Sequence, residues 1–140
     1  LIRALEVAKT SGGRFSALQR RGKPHYTTLL LGVARDRERL YTRIDRRVDV
    51  MMSRGLLKEA VRLGKRYGWD AKPLSSLGHR QLGEYLRGGT GLGESIERIK
   101  RETRRYAKRQ MTWLRREKGL LWVKGAQDAG RLAKAFLRAT

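Results

Sequence analysis

Apolar positions recur with a helical period along most of this chain, broken by one β-branched and leucine-rich run, so the pattern predicts helices around a few strands. Leu1 to Lys9 reads as the end of a helix through Ile2, Leu5 and Ala8, closed by Ser11, Gly12 and Gly13. A basic, partly helical connector follows from Arg14 to Arg21, and Gly22, Lys23 and Pro24 break it. Thr27 to Val33 predicts a central parallel strand buried on both faces. Asp36 then caps a helix that turns Leu40, Ile44, Val48, Met51 and Met52 inward and ends at Gly55. Leu56 to Tyr67 predicts another helix through Leu57, Ala60, Val61 and Gly64, with the two methionines as core against it. The loop from Gly68 to Ser76, with Trp69 and Pro73, delivers Gly78, His79, Arg80 and Gln81 to a short helix. Leu82, Tyr85 and Leu86 bury that helix, and Gly88 and Gly89 stop it.

The longest pattern runs from Glu94 to Lys118. Ile96, Ile99, Thr103, Tyr106, Gln110 and Leu114 recur at helical spacing beside Arg98, Lys100, Arg101, Arg104, Arg105, Lys108, Arg109, Arg115, Arg116 and Lys118. Glu94 and Glu97 at its start and arginines at its end suit the helix dipole. Leu120 to Val123 predicts a second strand and Asp128 to Leu137 a closing helix, with Ala129, Leu132, Ala133 and Phe136 inward. The order of strand, helices, strand and helix predicts a helix-rich α/β fold with few strands. Because Leu1 already stands in helical pattern, residues are expected upstream of it.

Charge sharpens this picture. Among 140 residues, 34 Lys plus Arg against 13 Asp plus Glu give a formal net charge of +21, which points to an anionic macromolecular partner. A row of cations along one helix matches nucleic-acid phosphates, and Tyr106 or Trp113 can stack on an unpaired base. The same stretch fits a membrane surface poorly, since its polar face is too wide for its apolar stripe. With no cysteine and two isolated histidines, the chain offers no disulfide, no thiolate metal site and no conventional zinc site. No run is long enough to span a membrane and no signal peptide is evident, so a cytoplasmic protein is expected. Arg37, Arg39, Arg43, Arg46 and Arg47 crowd the polar face of the Asp36 helix, with Glu38, Asp45 and Asp49 as partial counterions. That face suits either diphosphate contact, through Arg37, Arg43 and Arg47, or ordinary surface pairing. Arg80 and Gln81 at a helix start can offer hydrogen bonds to a ligand, whereas His79, with no acid near it in sequence, reads as a surface or packing histidine.

Three stretches carry a family resemblance: RYAKRQMTWLR at Arg105 to Arg115, GHRQ at Gly78 to Gln81 and RALEV at Arg3 to Val7. In their order along the chain, from Arg3 through Gly78 to Arg115, they resemble the tRNA dimethylallyltransferase family, and the run from Thr27 to Ala60 is similar to its strand and arginine-rich helix. The resemblance covers the C-terminal portion of the family only. It implies a P-loop-like α/β core with a helical insertion, residues 1–24 being the end of the insertion and a connector and 25–140 the core. It further implies transfer of a dimethylallyl group from its diphosphate to N6 of the adenosine 3′ of the anticodon, with magnesium. The implied tRNA contacts are Arg3, Ser76, Leu77, Gly78, His79, Arg80, Gln81, Lys108, Arg109, Gln110, Met111, Thr112, Trp113, Leu114 and Arg115, on the anticodon stem-loop, by a monomer.

The chain departs from the family in two ways. His79 stands where the family usually has Tyr, and no G-x-x-x-x-G-K-[ST] loop or catalytic aspartate segment occurs, so neither catalytic nor magnesium-ligating residues are expected here. The piece alone is therefore expected to be inactive. The rival reading is a non-catalytic basic RNA-binding or ribosome-associated module, which accounts for charge but not for motif order. A DNA-binding helix-turn-helix lacks its short recognition helix after a tight turn, and DNA is not expected as a partner.

Overall fold

The computed structural model describes residues 2–12 and 25–139, with side chains from Leu5 onward. The elements are α1 (Ile2–Ser11), β1 (Leu30–Val33), α2 (Arg37–Ser53), α3 (Leu56–Tyr67), a 3-10 turn (Lys72–Ser75), α4 (His79–Leu86), α5 (Leu92–Leu114), β2 (Leu120–Val123) and α6 (Ala126–Ala139). The architecture is helix-rich α/β, as expected. The basic connector, its break and the division at residue 24 lie outside the described residues.

Local signals act where they stand. Asp36 Oδ1 accepts from the backbone N–H groups of Glu38 and Arg39 and so opens α2. Gly55, at φ +96°, makes the left-handed turn that lets α3 start with only Arg54 and Gly55 between it and α2. The helices then fold back on one another. Val48 of α2, Leu56 and Ala60 of α3, Leu82 of α4 and Ile99 of α5 form the buried cluster, with Met51, Met52, Leu57, Leu92 and Ile96 against it. On α4 only Leu82 of the three apolar positions is fully buried; Tyr85 is half-buried and Leu86 exposed.

Trp69 wedges this packing from the loop. Its ring lies against Gly64 of α3, and a Cβ at Gly83 of α4 would stand 3.0 Å from its Cε3 atom. Glycine at both positions is what leaves room for the indole.

β1 and β2 pair in parallel with Leu30 opposite Leu120 and Val33 opposite Val123. Among the described residues the strand is shorter than Thr27 to Val33 and is neither central nor covered on both faces. Leu30 is 43% and Val33 54% exposed, because each strand of a two-stranded sheet is an edge with one neighbour. The long helix also ends earlier than Lys118. Arg116 N–H turns back to the Trp113 carbonyl and Glu117 N–H to the Leu114 carbonyl, and Gly119, at φ +84°, redirects the chain into β2. Among the described residues, no helix is long and apolar enough to cross a membrane.

Candidate nucleic-acid interface

The GHRQ tetrapeptide is built as a helix start. Gly78 is buried at φ +98°, and its N–H donates to Gln81 Oε1 at 2.9 Å, closing the first turn of α4. Gln81 itself is fully buried, and its Nε2 donates to Glu102 Oε2 on α5 at 2.8 Å. Arg80 Nη2 donates to the same oxygen at 2.5 Å, while the rest of its half-exposed side chain faces solvent. His79 is turned the other way, with Nε2 3.2 Å from Glu59 Oε1 of α3.

Helix α5 divides into two halves of different electrostatic character. In the proximal half, Arg98 pairs with Glu84 at 2.6 Å, Lys100 with Asp49 at 2.8 Å and Glu97 at 3.0 Å, and Arg104 Nη1 with both oxygens of Asp45 at 2.5 and 2.7 Å. The hydrogen bond to Asp49, then that to Glu97, raises the Lys100 pKa above its ordinary value, against burial that lowers it. The counterions of this half thus come from α2 and α4 and, for Lys100, also from Glu97 one turn earlier on α5 itself. Among the described residues, Arg105, Lys108, Arg109, Arg115, Arg116 and Lys118 make no ion pair.

All of these cations except Lys118 line clefts that run into one another. One, of about 420 Å³, joins Leu77 and Arg80 of the α4 approach to Glu102, Arg105, Tyr106 and Arg109. The next, of about 480 Å³, shares Arg105 and Arg109 and adds Lys108, Thr112, Trp113 and Arg116. A third, of about 250 Å³, shares Lys108 and Thr112 and reaches Arg35, Arg37 and Tyr41 beside Met111 and Arg115. Tyr106 is 50% and Trp113 62% exposed, and the Arg109 guanidinium lies 5.7 Å from the Tyr106 ring centre. Open cationic troughs floored by aromatic planes hold phosphates and stack bases.

The chain matches the model of the IPP transferase family over residues 1–117. It belongs to that family. Among curated members, it is 45% identical over 123 residues to the tRNA dimethylallyltransferase of Thermomicrobium roseum, covering 87% of this chain and 37% of that one. It is 44% identical over 125 residues to that of Symbiobacterium thermophilum, covering 88% and 39%. In fold it resembles the tRNA isopentenylpyrophosphate transferase of Bacillus halodurans, with TM-score 0.74 and 34% identity, over 99% of this chain and 43% of that one. The tRNA delta(2)-isopentenylpyrophosphate transferase of Staphylococcus epidermidis gives TM-score 0.77 at 26% identity, over 99% and 47%. The chain thus spans about two fifths of the length of the curated IPP transferases it matches.

In this member of the family the structure gathers some of the expected residues and separates others. Leu77, Arg80, Lys108, Arg109, Met111, Thr112, Trp113 and Arg115 line the connected clefts, and Ser76 is exposed next to them. Gln110 and Leu114 fall outside those clefts, and Gly78 and Gln81 are buried behind them. Gln81 is thus no exposed hydrogen-bonding group, because its amide is engaged by Gly78 and Glu102. Arg37 joins the third cleft, whereas Arg43 and Arg47 stand exposed elsewhere along α2, so the three arginines do not form one cluster. The side chain of Arg3 lies outside the described residues.

Sequence reasoning missed Glu102 and Glu59, the partners of the GHRQ segment. Glu102 left a signal, as the one acid among the bases from Arg98 to Arg116. Magnesium finds no fit here. Among the described residues no three His, Asp or Glu side chains cluster, and Asp45, Asp49, Glu84 and Glu102 each already hold an Arg or Lys.

Proposed function

We propose that this chain is the RNA-gripping part of a tRNA dimethylallyltransferase, which transfers a dimethylallyl group from its diphosphate to N6 of the adenosine 3′ of the anticodon. The observation that carries this reading is the unpaired distal half of α5, whose cations and aromatics run without interruption into the Arg80 end of α4. The names of its relatives support the substrate and the reaction.

The division of roles follows from the chemistry. Lys108, Arg109 and Arg115 bind backbone phosphates, which fixes the RNA in position without reading sequence. Tyr106 and Trp113 offer faces to unstacked loop bases. Arg80, at the edge of the same trough, is placed to meet a base edge or a sugar. The clefts could supply at most part of the neutralisation of the leaving diphosphate, and acceptance of the amine proton falls to residues outside them, since they offer cations, hydroxyls and rings but no free carboxylate.

The test is RNA binding at rising salt, using stem-loops with an unpaired loop adenosine. Affinity should fall steeply, with log K against log salt losing about 0.7 of slope for each phosphate contact removed by Lys108→Ala or Arg109→Ala. A flat response for the unsubstituted protein refutes the RNA reading. Product formed by the 140-residue chain alone from dimethylallyl diphosphate, magnesium and tRNA, at a rate that scales with protein, refutes the assignment of the chemistry to other residues.

A further inference from the structure

Glu102 is out of place in a surface made to attract phosphate. It lines the same cleft as Arg80, Arg105 and Arg109, and its negative charge opposes the partner those cations bind. Two needs account for an acceptor at this position. The buried Gln81 amide must donate to something, and Glu102 Oε2 takes its proton at 2.8 Å. The same oxygen takes Arg80 Nη2 at 2.5 Å. A neutral amide oxygen would satisfy Gln81 equally well. What the carboxylate adds is a charge-assisted bond that holds one end of a long, half-exposed side chain and cancels its charge.

Held in this way, Arg80 is a poor phosphate clamp. Its charge is balanced before RNA arrives, yet the guanidinium nitrogens not bonded to Glu102 remain available as donors of fixed direction. Gln81, pinned between Gly78 N–H and Glu102, fixes the backbone from which Arg80 projects. We propose that Glu102 is a specificity-determining positioning residue, which neutralises and orients Arg80 so that this edge of the cleft reads a nucleotide rather than gripping any phosphate. The proposal rests on the RNA-binding reading above.

The experiment compares, in the intact protein, a stem-loop bearing an unpaired adenosine with the same stem-loop bearing uridine there, each across a salt series. Glu102→Gln keeps the size and the acceptor oxygen but removes the charge. It should tighten binding of the uridine control, steepen the salt slope by about 0.7 and lower the adenosine preference towards one, with Glu102→Asp restoring part of that preference. Arg80→Gln gives an independent reading should Glu102→Gln fail to fold. It should abolish the preference yet leave the salt slope unchanged, because Arg80, held by Glu102, makes no phosphate contact to lose. The proposal is overturned if Glu102→Gln alters neither slope nor preference, or if Arg80→Gln lowers the slope by about 0.7. It is also overturned if the unsubstituted protein binds RNA with a normal salt slope but prefers neither stem-loop. A flat salt response removes the RNA reading itself, and so is told apart from a failure of Glu102 alone.

Discussion

Replacing Gly64 with alanine tests whether the Trp69 wedge sets the geometry of the helix layer. A Cβ built at Gly64 would stand 2.5 Å from Trp69 Cη2 and nearer still to Cε2 and Cζ2, about 1 Å or more inside ordinary carbon contact. The ring has little room to recoil, since its opposite flank meets Gly83. Overpacking of this kind costs about 1 to 3 kcal/mol, and a trapped ring belongs at the upper end. Alanine in place of a mid-helix glycine returns about 1 kcal/mol. The net expectation is a loss of about 2 kcal/mol, or roughly 6 to 8 °C in Tm for a domain of this size. Urea or thermal unfolding followed by circular dichroism measures it. The double variant Gly64→Ala, Trp69→Phe should recover part of the loss, since a phenyl ring is smaller than an indole, and that recovery is a coupling energy. Gly64→Ala as stable as the original, or a double variant no better than additive, would show that Trp69 moves freely and is not a wedge.

Other substitutions separate the two halves of α5. Arg104→Ala should lower stability by about 1 to 2 kcal/mol in urea titrations, because it leaves the half-buried Asp45 carboxylate alone, while changing the RNA salt slope little. Lys100, whose pKa is raised by Asp49 and Glu97, contributes stability that is fully present below its ordinary value of 10.5 and is lost as pH climbs through its higher folded value. Lys100→Met should therefore flatten the alkaline limb of a stability–pH curve, and an unchanged limb would remove that assignment. Gln81→Leu strands the Gly78 N–H and one Glu102 bond in a buried site, and should cost about 1 to 3 kcal/mol by the same titration.

What was legible in the sequence was whatever local chemistry decides. Asp36 as a cap, Gly55 as a stop and the bounds of α3 depend on residues within a turn of each other. The sequence pattern overruns the end of α5 because the basic run continues through Lys118, while the turn that ends the helix is set by backbone bonds and by Gly119. The apolar run at Thr27 to Val33 suggested a covered strand, but cover comes from other layers, and a sequence pattern does not count them. Ion pairs across the helix layer were invisible for a related reason. Arg104 finds Asp45 59 residues away, and no short window holds both. Gln81 read as a surface group because polarity predicts exposure unless a partner waits in the core, and that partner lies 21 residues downstream.

The two-part character of α5 also has a mechanical side. Its base is clamped by ion pairs to α2 and α4, whereas its outer half, from Arg105 to Leu114, carries little of the core. A helix is stiff over this length, and Trp113 lies nine residues beyond Arg104, about 14 Å along the axis. The outer half is therefore a lever, with its fulcrum at Asp45 and Asp49. A tilt of a few degrees at the base, too small to break any of those bonds, displaces Trp113 by about 1 Å, which is enough to spoil a stacking contact. Substitutions in the α2–α5 seam, far from any RNA, should act on the grip through this arm.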